Sequence, residues 1–142
     1  MKIDHVAKAT IEIQASAEKV WDALTNPALI KQYLFGTEAR SDWKKGSPIT
    51  YKGVWEGKTY EDKGVIVDIV PNKRLVSTYW SSMSGKPDTP DQYNTVTYEL
   101  AHASGRTTLS VTQDNNPTQE SADHSASNWK AVLQAMKGLL EK

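Results

Sequence analysis

The chain has 142 residues, with 17 basic and 17 acidic side chains that cancel to zero net charge, and no cysteine. Disulfides, thiol nucleophiles and thiolate metal sites are therefore excluded, and without a run of like charge or a basic stripe the sequence points away from nucleic acid and anionic membrane surfaces as partners. A chain this long predicts one domain over residues 1–142, whose core removes roughly 68–70% of the unfolded surface from water.

The first residues, Met1 to His5, have no apolar run of the signal-peptide kind, and no segment approaches the about 18 apolar residues of a membrane span, so a cytoplasmic protein without integral membrane association is expected. Residues 8–13 alternate Lys8, Thr10 and Glu12 with Ala9, Ile11 and Ile13, the period of a half-buried strand. Ser16 offers an N-cap and Glu18 a first-turn charge for a short helix carrying Val20, Trp21 and Leu24. Pro27 starts a second short helix with Leu29, Ile30, Tyr33 and Leu34, which Gly36 ends.

Strands follow. Residues 37–43 form a weak one, and residues 48–55 place Ile49, Tyr51, Gly53 and Trp55 on one face. Residues 58–70 form a long strand of open phase, since Gly64 is a candidate bulge and the run Val65 to Val67 fits either face. Pro71 turns the chain into a strand over residues 74–80, and an irregular loop over residues 81–92 leads to a hairpin of residues 94–100 and 106–113. Residues 118–142 predict one long amphipathic helix, with Ala122, Ala126, Trp129, Leu133, Met136 and Leu140 in its stripe and Val132 and Leu139 widening it. Its first half is small (Ser121, Ala122, Ser125, Ala126), which admits either close packing on the sheet or a void beneath. The layout is α+β: an antiparallel sheet of about six to seven strands wrapped around a long C-terminal helix, with two short helices after strand one.

Three stretches carry a family resemblance. Val20-Trp21-Asp22-Ala23-Leu24-Thr25-Asn26-Pro27 with Leu29-Ile30, then Gly64 to Pro71 with Arg74-Leu75-Val76-Ser77-Thr78-Tyr79-Trp80, then Asn128-Trp129, Val132-Leu133, Met136 and Leu139-Leu140-Glu141 occur in an order that resembles the helix-grip fold. That is the fold of the START, polyketide-cyclase and birch-pollen-allergen superfamily, and the closest likeness is to the C-terminal domain of activators of the heat-shock protein 90 ATPase. Asn128 stands where relatives often have glycine, and Tyr79 where tryptophan is usual. The resemblance implies a cavity between the long helix and the sheet that takes an apolar or amphipathic small molecule, and it favours the void over close packing.

Candidate chemistry is sparse. His5, His102 and His124 lack any metal-ligand spacing, and His124 is expected on the polar side of the last helix. No serine sits in a nucleophile elbow and no glycine-rich loop precedes a helix, so no catalytic residue, metal or cofactor is assigned. The expected ligand-binding set is Tyr51, Trp55, Ser77, Tyr79, Tyr98, Val111, Ser125, Trp129, Val132 and Met136, an apolar and aromatic lining with a few hydroxyls. The function expected is non-catalytic binding of a hydrophobic or aromatic small molecule. Two alternatives stand beside it. A chaperone ATPase co-activator module is disfavoured because the first strand begins within the first dozen residues, with no preceding chaperone-binding domain. A cyclase-like or hydrolytic enzyme requires an ionisable side chain inside the cavity, and Asp68 is the first candidate, although an outward position is expected for it.

Overall fold

A computed structural model of the chain describes residues 5–34, 36–82 and 85–141. Expectations for residues 1–4, 83, 84 and 142 lie outside these, as does the side chain of Trp55. Strand β1 (His5–Ile13) begins three residues earlier than its alternation predicted and leads to α1 (Ala17–Thr25). Ser16 caps α1 by accepting from the Lys19 amide at 3.2 Å. Asn26 then does two jobs, since its amide donates to the Asp22 carbonyl to close α1 and its side chain accepts from the Ala28 amide to open α2 (Pro27–Tyr33). Pro27 in the first turn fixes the break between the two helices.

The remaining strands are β2 (Glu38–Ser41), β3 (Pro48–Trp55), β4 (Lys58–Val70), β5 (Arg74–Ser81), β6 (Asn94–Ala103) and β7 (Arg106–Asn116), followed by α3 (Gln119–Leu140). They form one seven-stranded open sheet in the order β1-β7-β6-β5-β4-β3-β2, with every pairing antiparallel. Two hairpins turn on two residues with positive φ, Glu56-Gly57 and Ser104-Gly105, the backbone twist that matches paired strands. The second hairpin therefore keeps pairing out to Ala103 and Arg106.

Helix α3 starts at the N-cap Thr118 and packs chiefly on β1, with lesser contact to β7, α1 and α2. Ala122, Leu133 and Met136 are its buried residues, so the small side chain at Ala122 serves close approach. The far end of α3 is tied down where Glu141 accepts from the Gln14 amide at 2.9 Å and from Lys137 at 2.6 Å. The loop between β5 and β6 folds back on the outer face: Trp80 stacks on Tyr93 and donates to the Pro87 carbonyl, and Lys63 pairs with Asp88 at 2.6 Å. Among the described residues no helix is long and apolar enough to cross a membrane.

Candidate functional site

Because α3 lies over β1, the middle of the sheet is left uncovered by the helix it curves around. The first two helices close that space from the other side, and a cavity of about 670 Å³ remains. From α1 and α2 it is walled by Leu24, Ile30, Tyr33 and Leu34, from β3 and β4 by Tyr51, Val54, Tyr60 and Asp62, and from β5 and β6 by Ser77, Tyr79, Ser81, Val96 and Tyr98. Helix α3 contributes His124, Asn128 and Trp129.

The phase of β4 decides which carboxylate reaches this space. Asp62, Gly64 and Ile66 are buried at every second position. The register against β5 then slips between Ile66 and Asp68, where Ile66 faces Ser77 and Asp68 faces Val76. Val67 is thus the extra residue of a bulge and, like Val65, points outward at over two-fifths exposure (43% for Val65, 44% for Val67). The bulge sits three residues beyond the expected Gly64. Gly64 is needed for another reason: a Cβ there would lie 1.8 Å from the Thr78 carbonyl oxygen. After the slip Asp68 faces outward and accepts from Arg74 at 2.6 Å. The carboxylate in the cavity wall is Asp62 instead.

Asp62 is 9% exposed, and its Oδ2 accepts from the Tyr79 hydroxyl at 2.6 Å. Its Oδ1 is buried and has no hydrogen-bond partner among the described residues. Tyr33 donates to the Ala23 carbonyl at 2.8 Å, and the hydroxyls of Tyr60 and Thr37 bond to each other. The hydroxyls of Tyr51 and Tyr98 have no hydrogen-bond partner among the described residues. Burial pushes the Tyr51 phenol well up, with the Asp62 carboxylate adding to it. Burial does the same to Tyr79, again with Asp62 adding and a hydrogen bond from Ser81 opposing. Tyr98 and Tyr33 are raised by burial first and by neighbouring tyrosines second. Phenols held neutral in this way are hydrogen-bond donors rather than acids or nucleophiles. Chemically the wall carries one buried carboxylate oxygen and two phenol hydroxyls without a partner among the described residues, in otherwise apolar and aromatic surroundings.

Five of the sequence-predicted residues meet here: Tyr51, Ser77, Tyr79, Tyr98 and Trp129. The Trp129 indole donates to Gln113 at 2.8 Å and meets Tyr98 edge to face at 5.8 Å. Four others fall elsewhere. Val111 and Met136 are fully buried core residues, Val132 packs on that core from its edge, and the Ser125 hydroxyl donates to Asn116 at 3.3 Å. Of Trp55 only the backbone is described, at the end of β3. His124 is exposed, as expected for the polar side of α3, and it also stands at the cavity rim with Asn128 one turn on, because the helix sits toward β1 and turns this flank to the opening. The residues from α1 and α2, and Asp62 itself, were absent from the predicted set. The first group carried no signal beyond an ordinary apolar helix face, whereas counting back by twos from Ile66 reaches Asp62.

A family model described as Activator of Hsp90 ATPase homolog 1-like protein matches residues 14–141. The chain belongs to that family. This family member is 44% identical to ChR145 from Cytophaga hutchinsonii, known from its solution structure, over 99% of this chain and 97% of that one, with a TM-score of 0.87. It shares its fold with Aha1 from Colwellia psychrerythraea, described as a dimer in solution (21% identity, 99% and 97% coverage, TM-score 0.73). CalU16 from Micromonospora echinospora has the same fold (17% identity, 96% and 82% coverage, TM-score 0.70). Comparison with curated proteins returns no match.

Proposed function

We propose that this protein binds a largely apolar or aromatic small molecule, without transforming it, in the cavity between α3 and the sheet. The observation that carries this reading is the pair of unpartnered phenols, Tyr51 and Tyr98, on the wall of a cavity of about 670 Å³. That volume lies inside the roughly 300–1,000 Å³ span of small-molecule sites, and such sites pair an apolar wall with a few placed polar groups. A phenol hydroxyl that faces the cavity without a protein partner is free to donate to an acceptor on a ligand. The test is a ligand-observed NMR screen of lipids and flat aromatics, followed by amide shift mapping. Perturbations centred on Ser77, Tyr98 and Trp129 are expected. Absence of any binder, or shifts confined to another face, would overturn the reading.

Family membership favours a second reading, contact with the heat-shock protein 90 chaperone. A pull-down and an ATPase assay decide it: clear stimulation by this chain supports the contact, and neither capture nor stimulation removes it.

A further inference from the structure

We propose that the ligand of this cavity carries a cationic amine, held on Asp62 Oδ1 among the tyrosines. This rests on the binding reading above and names the chemical class that the site selects.

The argument starts from Asp62, which is 91% shielded from solvent by its 9% exposure and engages only one of its two carboxylate oxygens. Asp62 lines the cavity, so a ligand held there lies against this residue. A water molecule could meet the hydrogen-bonding need of Oδ1. It could not meet a charge, and a buried carboxyl stays ionised only beside a cation or several strong donors. Neither is at hand. Among the described residues no lysine or arginine lines the cavity, and the adjacent Lys63 points outward to Asp88. The Tyr79 hydroxyl is the single donor to the carboxylate among the described residues.

The aromatic wall adds to the same selection. Tyr51, Tyr79, Tyr98 and Trp129 line the space, and aromatic rings attract a desolvated cation through their electron-rich faces. Tyr51 pairs with Asp62 across the β3–β4 register, so an aromatic side chain stands directly beside the carboxylate. An ammonium at Oδ1 would complete a charge-assisted hydrogen bond there, while the rest of the ligand packs against Leu24, Ile30 and Val96. An anionic ligand would meet repulsion from Asp62, and among the described residues the one basic side chain in the lining is His124, out at the rim.

Three indole probes of nearly one shape separate the possibilities: tryptamine, the neutral indole-3-ethanol and the anionic indole-3-propionate, titrated by calorimetry at neutral pH. Wild-type protein is expected to bind tryptamine about 30-fold more tightly than the alcohol, with the propionate weakest. Asp62→Asn is expected to remove that preference, because the amide keeps the acceptor for Tyr79 but carries no charge for an ammonium. The wild-type ranking does not depend on how the variant folds, and the circular dichroism spectrum checks the variant. If the alcohol or the propionate binds wild type as well as tryptamine does, or if Asp62→Asn leaves the ranking unchanged, the amine inference fails and cavity binding stands. If none of the three binds, the amine inference fails, and the NMR screen of lipids and flat aromatics decides cavity binding by itself.

Discussion

Tyr79 and Asp62 form a single polar device inside an apolar wall, so their effects on stability should be coupled. Tyr79→Phe removes the only donor to the Asp62 carboxylate among the described residues, and the expected loss is about 1–3 kcal/mol in urea denaturation. In an Asp62→Asn background the same change removes an ordinary neutral bond and the loss should shrink to about 1 kcal/mol. Equal losses in the two backgrounds would show that the pair is not coupled. The device was half legible in the sequence. Tyr79 stood out as an aromatic in the expected ligand-binding set. Asp62 did not, because its strand contains two aspartates, Asp62 and Asp68, and a bulge that no residue type announces places one inside and one outside. Hydropathy around Asp68 is the higher of the two, which drew attention to the wrong carboxylate.

At the scale of elements, local chemistry and tertiary packing had different visibility. Ser16 and Pro27 each gave a capping or breaking signal, and α1 and α2 start where that chemistry requires, while the caps at Asn26 and Thr118 emerge from the structure. Strand ends were less legible: β6 runs on to Ala103 across the two-residue turn and β7 runs on to Asn116, which pairs with His5 of β1, because pairing continues through polar residues that alternation cannot flag. The seating of α3 toward β1 was invisible, since a stripe states that a helix is buried and not on which strand. Gly64 illustrates the reverse case, a residue conspicuous in sequence whose role needed the neighbouring strand. A methyl group there would collide with backbone, the Thr78 carbonyl, rather than with a side chain that can move aside. Gly64→Ala should therefore cost about 1–3 kcal/mol, as overpacking does. The loss should come with faster amide exchange at Val65, whose amide donates to the Thr78 hydroxyl at 2.9 Å. A variant as stable as wild type would mean that β4 and β5 can separate locally at no cost.

For the molecule as a whole, the cavity imposes a pH limit on folding. Tyr33, Tyr51, Tyr79 and Tyr98 all surround it, and burial raises each above the ordinary phenol value of 10.0. A group raised in the folded state leaves stability intact below its unfolded value and withdraws it as pH climbs beyond. Above about pH 10 the unfolded chain releases these protons and the folded chain keeps them, so each phenol subtracts about 1.4 kcal/mol per pH unit. Four acting together exhaust a stability of about 5–15 kcal/mol within a few units. On the acid side the Gln14 amide and Lys137 hold the Glu141 carboxyl below its ordinary 4.5, so that contribution is present above this value and is lost as pH falls through the lowered one. Stability measured by urea denaturation should thus be flat through neutral pH and drop steeply above pH 10. Absorbance at 295 nm should show these four phenols ionising only together with loss of the folded circular dichroism signal. Tyr51→Phe should make the alkaline slope shallower by about one phenol's share, about 1.4 kcal/mol per pH unit. Phenols that titrate one by one near pH 10 in the still-folded protein would mean that water reaches them freely, and the cavity would then be too wet to hold an apolar ligand by burial.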